Sequence, residues 1–214
     1  MLLSYCSSLQ KDILSNTSGW FIRKETSFHI MSVAEREEVL CVLNAAWDRM
    51  KQGLDVHLIP NDRCFMVYAL LKAMNFEDVA GIRKGMPKDG TGSGPVVNIV
   101  FNADHFLTRT ILTAMRFHSA IRCVACFRCS EKIVEIMKKM MFDIHYVQED
   151  IHSQDKSILD FGVASCCSMG EVPDIIVTPG EGKKEEIVRL FGENPDDVVT
   201  SLFKISARIN NNIS

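Results

Sequence analysis

The apolar positions change their period along the chain. From Ser32 onward, Leu40, Leu43, Trp47 and Met50 recur at steps of three and four, which predicts an amphipathic helix with one buried stripe. Ser32-Val33-Ala34-Glu35 has a capping-box pattern, so the helix is expected to start there, with Gly53 as its stop. Residues 64–71 are apolar throughout and predict a buried strand, and 96–101 read as another. The two periods then alternate. Residues 104–117 are helical, 120–127 a strand, 130–140 helical with Ser130 as N-cap, and 142–147 and 174–178 strands. Residues 183–191 and 195–209 read as helices, with Gly192 ending the first and Pro195 in the first turn of the second. Strands alternating with helices predict the α/β class: a layered sheet with flanking helices in a single domain.

Two stretches fall outside this pattern. Residues 1–30 are Ser-rich and have no clear period, so they are expected to be an irregular N-terminal extension to a folded domain at 31–214. They lack the basic start and long apolar core of a secretory signal. Residues 84–95 hold four Gly and two Pro and predict a flexible loop.

Composition narrows the function. The run at 64–71 is the longest apolar one, far short of the roughly 20 residues a membrane-spanning helix needs, so no membrane partner is expected. Lys and Arg number 24 against 27 Asp and Glu, a net charge of −3, which argues against direct nucleic-acid binding. The eight Cys lack a regular spacing, which suits a reducing, cytoplasmic setting better than a disulfide scaffold.

Four groups could carry chemistry. Cys123, Cys126 and Cys129, with Cys166 and Cys167 further on, have a spacing at which thiolates hold zinc or an iron–sulfur cluster. Against that, a strand at 120–127 turns Cys123 and Cys126 to opposite sides, and free Cys is a common core residue. Pro179-Gly180-Glu181-Gly182-Lys183-Lys184 follows a strand, where backbone N–H groups and lysines suit an anion. It lacks P-loop spacing and is equally a plain connection. Arg109 and Arg116 share one face of a helix, and Arg128 ends a strand, where α/β folds gather ligands. Surface ion pairs with Asp104 or Glu131 are the alternative. Asp104 and His105 open a helix directly after a strand, a place for a general acid, a phosphate contact or simply a cap.

In this order the pieces resemble the thiamine-phosphate synthase domain of the ThiN type, found at the C-terminal end of archaeal pyrimidine kinase fusions. The resemblance runs from about Ala34 to about Arg208. It rests on Arg109-Thr-Ile-Leu-Thr-Ala-Met-Arg-Phe117, Arg128-Cys-Ser-Glu131, Pro173-Asp-Ile-Ile176 leading to Gly180, Lys184-Glu185 and Arg189, and Ser157-Ile-Leu-Asp-Phe-Gly162. Leu58-Ile-Pro60, Val67-Tyr-Ala-Leu70 and Glu77-Asp-Val-Ala-Gly-Ile82 add to it. The family joins a pyrimidine-methyl pyrophosphate to a thiazole phosphate, giving thiamine phosphate and pyrophosphate. The resemblance implies that Arg109, Arg128, Ser130, Asp160, Gly180, Lys184 and Arg189 form the phosphate side of a site, and that Mg²⁺ accompanies the pyrophosphate. Small-molecule phosphates are the implied partners, and a homo-oligomer is compatible with it.

The chain also departs from the family. Members generally read Phe-Gly-Ala-Ser-Ser-His before the helix. Here the stretch is Phe101-Asn102-Ala103-Asp104-His105-Phe106, so the family's His falls on Phe106 and His105 stands one place early. A one-place slip rotates a helical side chain by about 100°. The family's Arg after Ala-Gly-Ile falls on Gly85, with Arg83 two places off. His105 and Arg83 are therefore the candidate catalytic residues, shifted from the family positions. Three readings follow: a synthase, with catalysis impaired by these changes; a non-catalytic module that senses thiamine phosphate; or a Cys-ligated metal protein.

Overall fold

The computed structural model describes residues 19–54, 58, 64–85, 96–128, 131–147, 160–178 and 186–213. The chain divides into two compact units, Met1–Glu38 and Val39–Ser214. The elements are α1 (Gly19–Lys51), β1 (Met66–Ala69), a 3₁₀ turn (Phe76–Asp78), β2 (Val79–Gly85), β3 (Val96–Phe101) and α2 (His105–Phe117). They continue with β4 (Cys123–Arg128), α3 (Glu131–Lys139), β5 (Ile144–Tyr146), α4 (Phe161–Cys166), β6 (Ile175–Thr178), β7 (Ile187–Gly192) and α5 (Pro195–Ile213). The described strands form one seven-stranded sheet in the order β3-β2-β1-β4-β7-β6-β5, antiparallel throughout except for the parallel β5–β6 pair. The expected α/β class, a layered sheet with flanking helices, is what the chain adopts.

Helices cover both faces. The helix α2 packs on β1 and β4 and against α4, whereas α5 packs on β4 and β7 and against α3. The two helices lie on opposite faces, because alternate β4 side chains meet different partners. The Cys123 thiol feels Asp197 of α5, while Cys126 pairs in the ladder with Arg189, whose guanidinium lies against Phe106 of α2. Being central, β1 is buried on both sides, which is why Met66-Val67-Tyr68-Ala69 is an unbroken apolar run with no alternation. On the α5 face, Val39, Leu43, Ala46 and Met50 of α1 are buried; Leu43 and Met50 belong to the predicted stripe, whereas its other members, Leu40 and Trp47, are only partly buried. Arg49 of that helix forms an ion pair with Asp196 of α5.

Two predicted elements are corrected. The helix expected at 183–191 is the strand β7 over Ile187–Gly192. Ile187, Leu190 and Phe191 fit a three- and four-residue spacing, but the slot between β4 and β6 supplies a ladder on both sides of Ile187–Gly192. Tertiary pairing overrides the local period, and Gly192 is the strand's last residue rather than a helix stop. Its absent side chain makes room: a Cβ there would lie 2.7 Å from Val198 Cγ2. The second correction concerns α1, which begins at Gly19, well before Ser32, so residues 19–30 are helical and not irregular. Ser32 and Glu35 lie inside the helix. A capping-box pattern marks residues able to cap, and does not by itself stop an upstream turn from forming.

The helix α2 starts as its sequence suggests. Asp104 is its N-cap, with Oδ1 accepting the Leu107 N–H at 2.7 Å. Pro195 opens α5, behind Asn194, whose Oδ1 accepts the Asp197 N–H at 3.0 Å.

Candidate functional site

The charged residues of the α2 face are built onto three elements. Arg189 projects from the middle of β7 with its side chain only 4% exposed. A buried guanidinium needs compensation. It comes from Asp160, whose Oδ2 lies 3.7 Å from Arg189 Nη2, and from the Phe106 ring, whose centroid is 4.7 Å from Arg189 Cζ. Asp160 is the N-cap of α4: its Oδ1 accepts the Val163 N–H at 3.2 Å. Its Oδ2 accepts the Thr110 hydroxyl at 3.2 Å, and its own N–H donates to Thr113 Oγ1 at 2.9 Å. Phe106, Thr110 and Thr113 stand at i, i+4 and i+7 on α2, so one helical stripe grips both partners.

Arg109 follows Phe106 by one turn and is half-buried; its Nε has no hydrogen-bond partner among the described residues. Thr178 ends β6 on the face that carries Arg189, and its buried Oγ1 likewise lacks a partner among the described residues. Unmatched buried donors are uncommon and call for an explanation. Donors of this kind on the face that carries a buried arginine suit an anion, whose oxygens accept N–H and O–H.

The structure thus brings Asp160 and Arg189 into contact and sets Arg109 on the adjoining stripe. It places the other candidates elsewhere or leaves them outside the described residues. Arg128 is the last residue of β4, its backbone opposite Ile187, and its side chain lies outside the description. Ser130, Gly180, Lys184 and Cys129 are outside the described residues. The rule that ligands gather at strand C-termini belongs to parallel sheets, and β4 is antiparallel to both neighbours, so that argument for Arg128 lapses. His105 is exposed at the start of α2, its ring centroid 4.6 Å from that of Phe76. Arg83 is exposed on β2 opposite Asn98, and its charge is felt by the Cys64 thiol. Sequence reasoning missed Phe106, Thr110 and Thr113 as site residues. A signal was present: three threonines within one short helix cost helix propensity, which implies a tertiary task.

Cys123 and Cys126 do not converge. Cys123 and Cys126 are both buried, three places apart on β4, and so face opposite sides of the sheet. Among the described residues no group of three or more His, Cys, Asp or Glu side chains could hold a metal ion. Burial pushes the Cys64 thiol up to about 12, with the Asp104 charge adding to it, and pushes Cys123 well above its ordinary value. Cys166, beside the Asp160–Arg189 pair, is also raised by burial. Thiolates are the reactive form. In the native protein at pH 8, Ellman's reagent is therefore expected to modify exposed Cys41 and to leave Cys64 and Cys123 intact until denaturant is added. Peptide mapping that found Cys64 or Cys123 labelled first would contradict this arrangement.

A mixed seven-stranded sheet layered by helices on both faces is the frame on which this arginine sits. The chain belongs to the thiamine-phosphate synthase ThiN family, whose sequence pattern matches residues 42–204. It is 26% identical over 166 residues to the bifunctional thiamine biosynthesis protein ThiDN of Methanocaldococcus jannaschii, covering 77% of this chain and 39% of that protein. The chain thus spans well under half of that relative. Among solved structures, the C-terminal domain of protein MJ0236 superposes with a TM-score of 0.70 at 26% identity, covering 82% of this chain and 97% of the other. The C-terminal domain of a phosphomethylpyrimidine kinase gives 0.63 at 25%, covering 80% and 100%. The family places the chain in thiamine biosynthesis, and no described helix is long and apolar enough to cross a membrane.

Proposed function

We propose that this domain binds a phosphorylated intermediate or product of thiamine biosynthesis on the α2 face of the sheet, and that its turnover as a synthase is impaired. The observation that carries the reading is Arg189, a buried cation held by Asp160 and Phe106, with the unmatched donor of Thr178 on the same face of the sheet and that of Arg109 on the helix that carries Phe106. Phosphate oxygens would accept from these groups, and charge-assisted bonds of this kind are about twice as strong as neutral ones. The impaired half rests on the start of α2. The residue at the family's His position is Phe106, which covers Arg189, while His105 turns to Phe76. A phenyl ring cannot donate or accept a proton.

Mg²⁺ enters this proposal with a pyrophosphate group, since it is commonly held through substrate phosphates. Asp160 does not fit as its ligand. Both of its oxygens already accept protein hydrogen bonds, and Arg189 faces one of them.

Two measurements test the reading on the full chain. Thiamine phosphate, but not unphosphorylated thiamine, is expected to raise the melting temperature, by an amount set by RT ln(1 + [L]/Kd). No rise at millimolar ligand would sink the binding half. With hydroxymethylpyrimidine pyrophosphate, thiazole phosphate and Mg²⁺, thiamine phosphate is expected to form far below the roughly 1 s⁻¹ that opens the usual enzyme range. Turnover at or above that rate would overturn the impaired half.

A further inference from the structure

The geometry points to Asp160 as a positioning residue, one that holds the Arg189 guanidinium in place for an anionic ligand and does not itself touch that ligand. This rests on the anion-binding reading above and deepens it. The resemblance set Asp160 among the ligand residues, but its bonding leaves it little capacity for a ligand. Oδ1 is taken by the Val163 N–H, and Oδ2 by the Thr110 hydroxyl with Arg189 Nη2 beside it. A carboxylate would also repel a phosphate.

Its effect on Arg189 is that of a fixed charge. At 3.7 Å the approach is an ion pair, longer than a hydrogen bond. Asp160 thus draws the guanidinium toward α4 without using one of its N–H groups. The carboxylate is itself immobile: it caps α4, takes one hydroxyl from α2, and its backbone N–H is bound to a second hydroxyl of α2 at Thr113. Phe106 closes the other contact at 4.7 Å. Two of the groups that hold Arg189 depend on the α2 stripe, and an anion arriving there meets an oriented fork and not a mobile chain.

Two roles for Asp160 predict opposite signs. If it only neutralises Arg189, Asp160→Asn removes a repulsive charge and anions bind more tightly. If it positions Arg189, the same variant loosens the fork and anions bind more weakly. The test is calorimetric titration of the full chain with inorganic pyrophosphate and with thiamine phosphate, comparing wild type, Asp160→Asn, Thr110→Val, Arg189→Gln and the Asp160→Asn/Arg189→Gln double variant. The expected results are pyrophosphate binding about tenfold weaker for Asp160→Asn and about threefold weaker for Thr110→Val. The double variant should be no weaker than Arg189→Gln alone, because Asp160 acts through Arg189. Near-ultraviolet circular dichroism of the ligand-free variants is the control for a general structural loss: weaker binding that accompanies a lost native spectrum in both Asp160→Asn and Thr110→Val overturns the inference.

Tighter or unchanged pyrophosphate binding by Asp160→Asn, or additive losses in the double variant, also overturns it. If Asp160→Asn fails to fold, Thr110→Val decides by the same criterion, because it removes one bond to the same oxygen. Wild type that binds pyrophosphate but not thiamine phosphate defeats the thiamine reading alone, and the cycle is still read on pyrophosphate. Wild type that binds neither defeats both.

Discussion

Arg189→Gln is expected to cut sharply the rise in melting temperature given by thiamine phosphate. Gln keeps much of the volume beneath Phe106 but removes the charge, and a hydrogen bond to a charged partner contributes about 1.5–3 kcal/mol. That corresponds to a loss of roughly 10- to 150-fold in affinity. The free protein should suffer too, because Asp160 loses the cation at 3.7 Å while remaining largely buried. Its bonds to Val163 and Thr110 survive, which limits the cost to about 1–3 kcal/mol. Melting curves with and without thiamine phosphate separate the two effects. A ligand-induced shift equal to that of wild type would show that Arg189 is a structural cation and no part of the site.

The second large effect is purely steric. Gly81 sits on β2 opposite Val67, where a Cβ would lie 2.9 Å from Cys64 Sγ, 3.0 Å from Ala103 Cβ and 3.0 Å from Val67 Cγ1. None of these neighbours is the far end of a long, flexible side chain. Cys64 is anchored by its thiol donating to Ile82 O at 3.0 Å, and Val67 is wholly buried. Gly81→Ala must therefore push the backbone of β1 or β2 apart. The expected cost is about 1–3 kcal/mol, read as a lower midpoint in urea with the slope unchanged. A midpoint equal to that of wild type would mean the strand spacing relaxes without cost.

Much of this could be read from the chain itself. Asp104 announces α2 because a cap acts locally, and β1 announces itself because a central strand has no wet face to alternate with. Other features depend on partners far away in sequence. Ile187–Gly192 becomes a strand only because β4 and β6 leave a slot of matching length, which no local period reveals. The strand β2 escaped notice because Gly81, Arg83 and Gly85 interrupt its apolar pattern, and the first of these is Gly for the steric reason just given. In the candidate site, the arginines drew attention as residue types. The environment that distinguishes Arg189 from Arg83 did not, since burial follows from the sheet order: Arg189 lies on a central strand, whereas Arg83 lies on β2 beside the edge strand β3. The role of Asp160 needed three separate contacts to become visible, and those come from α2, α4 and β7.

The place of β7 in the sheet also orders the events of synthesis. The pieces β1–β2–β3 with β4, and β5 with β6, are complete before residue 187 is made, yet they join only through β7. Until then β4 and β6 each present an open edge of apolar strand to the cell, the condition under which nascent chains pair with one another. Ile187–Gly192 must have left the ribosome before the sheet can close. Of the described strands, the last to be synthesised is the one that makes two half-sheets into one.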